Sequence, residues 1–545
     1  MTAKKEVRAT RCEADYVVVG AGVSGLFVAV QVKRRLPRLR VHVYEARRAP
    51  GGRVQTVRDE RTGAPLYERG AWRVAAHHRR AVALYAHYGI RLSAASHSRA
   101  GAAHVLPGTN PARDAAELSG EVSLWDAVAK GTDVPTAQRD DRDTGYMGLT
   151  EAAATTAVYG VGALAASGTG SAAAGAGRGG SADKEPDYLV PAAAGMDAVI
   201  HALVDDALRL GVRLYLKHRV TDLRLSERSG LYACSVGWLG EDGSQGRKVV
   251  TSAHVCIAVP PAAARSWSLV RERMLPLTGA VVATELMHVW ARSRTRPAVV
   301  RGARDIAGNP NFKIVLGASP LAQVISGDYD GQRIFQVSYS GGQAARYWLN
   351  RWQALGSTDA LRREVVDRLR TDAGGLLNVG AADVDDVYPC YYAHAVHMWR
   401  PAPSFDPDRA SRASVVPLAH AGVDTLTWTG EAFSTVQAWI EGALQQAERA
   451  LHAALAALHR AGSRRPGRVI GRAAATPPPV PADCVRIYGY DVPVAEFAQT
   501  HPGGAEALAP YVGTDATEVF QHIGHSDTAL AFVYALWSGS RRTRH

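Results

Sequence analysis

Two short segments hold residue types whose spacing suits redox cofactors. Near the start, Asp15-Tyr-Val-Val-Val-Gly-Ala-Gly-Val-Ser-Gly25 sets Gly20, Gly22 and Gly25 in a G-x-G-x-x-G pattern behind a β-branched run. The first two glycines permit a tight turn and let a pyrophosphate approach the main chain. The following helix presents its amides and positive end to phosphate, and the third glycine lets helix and strand pack closely. Glu45 ends the next apolar run and can hold ribose hydroxyls. The glycine pattern alone is common, and its alternative is a glycine-rich turn without a ligand; the strand before, the helix after and the acid beyond favour a nucleotide cradle. Near the other end, Thr500-His-Pro-Gly-Gly504 and Gly524-His-Ser526 hold two histidines that read as haem ligands, the alternative being two solvated side chains. Together the two signatures suggest electron transfer between bound cofactors.

Elements must position these residues. Tyr16–Val19 is strand-like, Leu26–Lys33 helical, and Val41–Tyr44 returns as a second strand, which makes a βαβ unit. A second mixed stretch carries a helix over Met196–Leu210, Gly211, a strand over Arg213–Leu216, and strands ending in Val255-Cys-Ile-Ala-Val-Pro-Pro261. Ser434–His459 is a long helical pattern. Residues 165–182 are almost all Ala, Gly, Ser and Thr, too poor in apolar surface to order themselves, and read as a flexible insertion. The expected organisation is a tail at 1–13, a domain at 14–460, a Pro/Arg-rich linker at 461–482 and a small unit at 483–545.

Composition bounds the rest. At 545 residues the chain exceeds the roughly 250–300 at which single cores stop growing, so at least two folding units are expected. The formal charge of +12 gathers in segments that read as solvated, such as Lys4, Lys5, Arg464, Arg465, Arg541 and Arg542, and no base-stacking or finger motif favours nucleic acid. Cys12, Cys234, Cys256, Cys390 and Cys484 are odd in number, without a C-x-x-C pair, which suits a reducing compartment and argues against a structural zinc. With no secretory h-region and no run of about 20 apolar residues, the expectation is a cytoplasmic protein without a membrane span.

Glu45-Ala-Arg-Arg-Ala-Pro-Gly-Gly-Arg53, Glu68-Arg-Gly-Ala-Trp-Arg73, Thr429-Gly-Glu-Ala432 and Ala438-Trp-Ile-Glu-Gly-Ala443 resemble the flavin-containing amine oxidases, a family that includes L-amino-acid, monoamine and polyamine oxidases. The double-Gly-Arg after the acid marks FAD rather than NAD. The resemblance covers roughly residues 14–455 and implies an α/β and α+β fold, an FAD-binding Rossmann-like domain interleaved with a substrate domain. It assigns to the cofactor Gly20, Gly22, Val23, Ser24, Gly25, Glu45, Ala46, Arg47, Gly52, Arg53, Gly70, Ala71, Trp72, Val220, Gly430, Glu431, Ala438 and Ile440. Arg53 would lie against the diphosphate, and Trp439 and a helix N-terminus beside the isoalloxazine, where the helix end favours negative charge on reduced flavin. The alternative for Trp439 is an ordinary core aromatic.

Gly70-Ala-Trp-Arg73 and His78 look most like the L-amino-acid oxidases, in which an arginine grips the substrate carboxylate. Arg73 and Trp439 are therefore the candidate catalytic pair, with Arg73 pairing to FAD or to a surface acid as the alternative. Two departures stand out. Where many members have a lysine in a Thr-Lys-Ile-Phe strand, this chain has Thr284-Glu-Leu-Met287, and no lysine lies between Lys248 and Lys313. The carboxylate-binding tyrosine is absent from Pro320–Ser326, while Tyr391, Tyr392 and Trp399 are candidates to line the pocket.

Tyr490 to Gly504 and Gly513 to Ser526 are similar to cytochrome b5, which implies a small α+β haem b module with His501 and His525, 24 residues apart, as axial ligands and His522 a weaker candidate. Two imidazoles fill the iron's axial positions and leave an electron shuttle. The implied function is an FAD-dependent amine or L-amino-acid oxidoreductase that passes electrons through haem to an external one-electron acceptor. The alternatives are a peroxide-producing oxidase with an incidental haem unit, and a decayed, non-catalytic FAD- and haem-binding protein.

Overall fold

The structure is a computed structural model that describes residues 13–98, 103–105, 186–240, 243–300, 308–316, 319–380, 382–400, 405–463, 479–487, 490–501, 503–516, 519–520, 533 and 536. The insertion at 165–182, most of the N-terminal tail and of the linker, and His522 and His525 lie outside the described residues.

The βαβ unit forms as its pattern requires. Ala14–Val19 (β1) is buried except at Asp15, because a central parallel strand is covered on both faces and so reads as a continuous apolar run. Val23–Arg35 (α1) follows the glycine turn, and Val41–Tyr44 (β2) returns parallel to β1. Lys33 closes α1 by donating from Nζ to the carbonyls of Pro37 and Leu39, both at 2.7 Å. Arg213–Tyr215 (β3), His218–Leu225 (β4), Tyr232–Leu239 (β5) and Gln245–Ile257 (β6) extend the sheet in the order β4-β5-β6-β1-β2-β3, and Leu426–Trp428 joins β6 in parallel. β6 pairs antiparallel with β5, and its end from Ser252 pairs parallel with β1, so one long strand welds a meander to the nucleotide-binding half.

Alternation along β1 divides the core. Tyr16 and Val18 face α1, Arg79–His87 (α2), Ala198–Arg209 (α3) and Ile440–Ser463 (α4), while Val17 and Val19 face a layer containing Trp267, Trp428 and Phe433. The helix forecast over Met196–Leu210 appears as α3. The pattern from Ser434 becomes helical only at Ile440, since Ala438 has φ +70° and left-handed backbone cannot continue a right-handed helix.

Val281–Ser293 (β7), Phe312–Leu316 (β8), Ala322–Ile325 (β9), Ile334–Gly341 (β10) and Val384–Trp399 (β11) form a second sheet in the order β11-β7-β10-β9-β8, with Ala103–Val105 at its edge. Met287, Val289, Phe335 and Val337 pack on one face against the helices Gly342–Leu355 and Thr358–Asp372. The other face, with Thr284, Leu286, His288 and Tyr339, looks into a cavity between the two sheets. The mixed, interleaved α/β architecture is thus the one implied by the sequence.

The C-terminal unit begins with an antiparallel pair, Cys484–Ile487 (β12) and Tyr490–Pro493 (β13), followed by Val494–Thr500 (α5) and Gly504–Leu508 (α6). Arg486 ties the pair together through Asp491 at 2.7 and 2.9 Å.

α2 is clamped to α4 by charge. Arg80, 6% exposed, meets Glu448 at 2.8 Å and Glu441 at 3.1 Å, and Glu441 also accepts the amide of Ala81 at 2.9 Å. Arg80→Met leaves two buried carboxylates without their cation and should cost about 3–5 kcal/mol in urea denaturation. Adding Glu441→Gln and Glu448→Gln should recover most of that loss, since a buried ion pair contributes little net stability over neutral packing.

Candidate functional site

The glycine turn is built for close approach. Gly20 has φ +108° and a Cβ there would sit 2.6 Å from the carbonyl of Ala258, while a Cβ on Gly25 would lie 2.1 Å from the carbonyl of Gly20. Gly22 differs: it is extended, it precedes α1 without a side-chain cap, and a Cβ there would meet nothing within 4 Å. An uncapped helix end beside open space is what an anionic ligand fills. Glu45 receives the amides of Ala21 and Arg47, each at 2.9 Å and each on a different oxygen, so both oxygens keep lone pairs for hydroxyl donors. Gly51 and Gly52, both at positive φ, dock against the turn through a bridge between Gly51 and Gly22.

A cavity of about 580 Å³ runs from this turn to the second sheet. It is lined by Gly20, Gly22, Val23, Ser24, Glu45, Ala46, Arg47, Gly52, Arg53, Gly70, Ala71, Trp72, Arg73, Gly430, Glu431, Ala438, Trp439 and Ile440, and by Tyr391 and Tyr392. Gly25 lies behind the turn as a packing residue. Val220 is buried on β4 and its neighbour Arg219 lines the cavity. Trp399 does not line it but packs between Phe405 and Phe433.

Glu431 joins the parts. Its Oε1 is 2.6 Å from both Arg53 Nη1 and His397 Nδ1, and its Oε2 accepts the amide of Ala438 at 3.0 Å. Arg53 also donates to the carbonyl of Ala395 at 2.6 Å, so part of the guanidinium expected on a diphosphate is committed to the protein. The burial of Glu431 opposes its charge, but Arg53, His397 and the Ala438 amide prevail and hold it down at about 2. The left-handed Ala438 is the backbone strain that this carboxylate secures.

The far end of the cavity is aromatic and cationic. Arg73, 4% exposed, has its guanidinium 4.2 Å from the Trp72 ring centroid and 4.0 Å from that of Tyr188, with Nη1 2.6 Å from His97 Nε2. Among the described residues no carboxylate pairs with it. Lys313 on β8 also feels Arg73, and burial together with that repulsion brings its ammonium down to about 7. Trp439 stacks on Tyr188 at 6.3 Å and meets His78 edge-on at 4.7 Å. The inward positions of β7 are Thr284, Leu286 and His288, none a lysine. Glu285 of the matching stretch turns away to Arg346 and to the Tyr391 hydroxyl, the latter at 2.7 Å. Pro320–Ser326 contributes nothing to the lining; Tyr339 and His288 do. Sequence reasoning passed over Tyr188, Tyr339, His97 and His288. Only the strand alternation of β7 and β10 hinted at two of them.

In the C-terminal unit His501 ends α5, with Phe497 edge-on at 5.3 Å. The Gly503 amide donates to its Nδ1 at 3.2 Å and Gly504 has φ +64°, which ties the ring to the backbone that follows it.

Glu431 yields a pH dependence. A carboxyl at about 2 when folded and near 4.5 when unfolded contributes about 3 kcal/mol above pH 4.5, lost as pH falls from 4.5 towards 2. The stability gap between wild type and Glu431→Gln, measured by urea denaturation, should be widest above pH 4.5 and narrow below it. A gap constant from pH 7 to 3 would contradict this.

Comparison with known proteins agrees with this geometry. A family model described as flavin containing amine oxidoreductase matches residues 23–453, and one described as cytochrome b5-like heme/steroid binding domain matches residues 484–539. Cytochrome b5 of Saccharomyces cerevisiae is 48% identical over 50 residues, 9% of this chain and 40% of that protein. Cytochrome b5 of Candida tropicalis is 43% identical over 47 residues, 9% of this chain and 36% of its own length. The chain therefore spans well under half of each curated relative. Wild-type putrescine oxidase bound to putrescine shares the fold, with TM-score 0.55 and 16% identity over 81% of this chain and 99% of that one. A double mutant from a redesign of cofactor binding in putrescine oxidase gives TM-score 0.56 at 15% identity over 81% of this chain and 99% of that one. A cradle whose Gly22 gap and Glu45 carboxylate suit a dinucleotide, inside a match spanning most of the chain, places this protein in the flavin-containing amine oxidoreductase family, with FAD as its cofactor and a cytochrome b5-like haem domain at its C-terminal end.

Proposed function

We propose that the protein oxidises the carbon–nitrogen bond of a small amino acid, with Arg73 gripping the substrate carboxylate, and delivers the electrons to its own haem domain. The observation that carries this reading is Arg73 itself, a buried guanidinium at the end of the cofactor cavity without a carboxylate partner among the described residues. A buried cation unmatched by the protein costs several kcal/mol unless a ligand supplies the anion. Trp72, Tyr188 and His97 hold the fork in place, and Trp439 with Tyr188 flanks the substrate's path. The solved neighbours are putrescine oxidases, and putrescine is a diamine. An unmatched guanidinium disfavours a dication at this end, so a carboxylate-bearing amine fits better.

FAD, held by Gly20 to Gly25, Glu45, Arg53 and Gly430, supplies a two-electron acceptor that can release electrons singly. Glu441 carries charge at the start of α4, yet Arg80 neutralises it, so the helix end keeps its positive character toward the cavity. His501 and His525 would hold haem, with an external one-electron acceptor as the final partner. Buried thiols at Cys234, Cys256, Cys390 and Cys484 support a reducing, cytoplasmic setting. The absence of a lysine among Thr284, Leu286 and His288 favours the second reading, a decayed site that retains its cofactors.

Arg73→Lys should raise KM for a carboxylate-bearing substrate about tenfold or more and change a carboxylate-free amine by less than about twofold, because the charge stays but the planar fork is lost. Equal losses on both would assign Arg73 to the flavin. Under rapid anaerobic mixing with a panel of L-amino acids and polyamines, the haem band should reduce at the rate of turnover. In His525→Ala, substrate should still bleach the flavin while reduction of a one-electron acceptor falls at least about tenfold. Acceptor reduction at the wild-type rate would end the relay reading, and a flavin that no member of the panel bleaches would favour the decayed site.

A further inference from the structure

His288 has no role in the assignments above, yet its setting is unlike that of the other cavity residues. It is 0% exposed, it lines the cavity from the inward face of β7, and neither ring nitrogen has a hydrogen-bond partner. Ring nitrogens left unsatisfied in the interior are destabilising. Packing explains the ring but not the nitrogens: Tyr339 meets it edge-on at 4.9 Å across β10, and Trp290 lies 6.4 Å away along β7.

The titratable groups around it come from three elements. Arg73 lies on the segment after Gly70, Tyr339 on β10, and Cys390 opposite His288 on β11. Tyr339 is raised by burial, and the Cys390 thiol is pushed up to about 11, so both are neutral in neutral solution. Arg73 is thus the charge that acts on the imidazole. Burial first, and then Arg73, push His288 down to about 3. An anion seated on Arg73 removes the second cause and makes the ring a better acceptor.

Resting on the reading that Arg73 binds the substrate carboxylate, we infer that His288, as a neutral imidazole, accepts a hydrogen bond from the substrate's amino group and so orients it for oxidation. Arg73 and His288 would then take the two polar groups of one amino acid between them. With Thr284, the same residue is an inward polar group of the strand in which the family lysine is missing.

The test uses the oxidised holoprotein and two ligands that differ by the amino group alone, isobutyrate and α-aminoisobutyrate; the second carries the amine but no hydrogen on its α-carbon and cannot be oxidised. His288→Leu should weaken α-aminoisobutyrate about tenfold or more and isobutyrate less than about twofold, and His288→Asn, which keeps an acceptor, should recover part of the loss. His288→Leu should also leave thermal stability unchanged or raised, since it deletes unpaired polar atoms. Equal weakening of both ligands would overturn the assignment of His288 while the Arg73 reading stands. Affinities untouched by Arg73→Lys, or no binding of isobutyrate to wild type at 100-fold excess, would instead overturn the carboxylate reading and this inference with it.

Discussion

The carboxylate of Glu431 is the point on which the site depends. Three segments far apart in the chain meet there: Arg53 from the nucleotide-binding end, His397 on β11 of the second sheet, and the Ala438 amide just before α4. A buried anion is tolerable only when its partners are all in place. The interleaved order of the chain, with the nucleotide half begun at residue 14 and closed only by 426–463, follows from that requirement. Ala438 is held at a φ that alanine avoids because its amide is needed at Glu431, and α4 starts where the strain ends.

Charge matching separates scaffold from site. Arg80 and Arg73 are nearly equally buried, at 6% and 4% exposure. Arg80 has two glutamates around it, whereas Arg73 has two rings and an imidazole. Rings hold a guanidinium's faces and leave its edge donors for a planar acceptor. The first arrangement locks two helices, and the second leaves a buried guanidinium on the wall of the cavity. At the opposite end of the cavity the uncapped start of α1 presents main-chain amides, so both ends of one continuous space carry positive potential.

The haem unit is held by shorter-range devices. Its hairpin is closed by Arg486 and Asp491, and the turn after His501 depends on Gly504 at positive φ. Such local geometry is why a match over about fifty residues is informative there, whereas the flavin domain's likeness to its solved neighbours sits at 15–16% identity.

The sequence alone determined the features set by near neighbours in the chain. The glycine cradle, Glu45 at the end of β2, the double glycine before Arg53, and the His-Pro-Gly-Gly turn are each written in a few consecutive residues, because φ and steric approach are local properties. The tertiary structure alone decided what surrounds Arg73. Tyr188, His97 and Tyr339 come from segments separated by the insertion and by whole strands, and no spacing announces them. It also decided that Glu285 turns outward while His288 turns in, since inward and outward alternate along a strand whose pairing with β11 shifts between Thr284 and Leu286. And it set the start of α4 at Ile440 in place of Ser434, because one amide was needed by a carboxylate whose other partners lie hundreds of residues earlier and on another sheet.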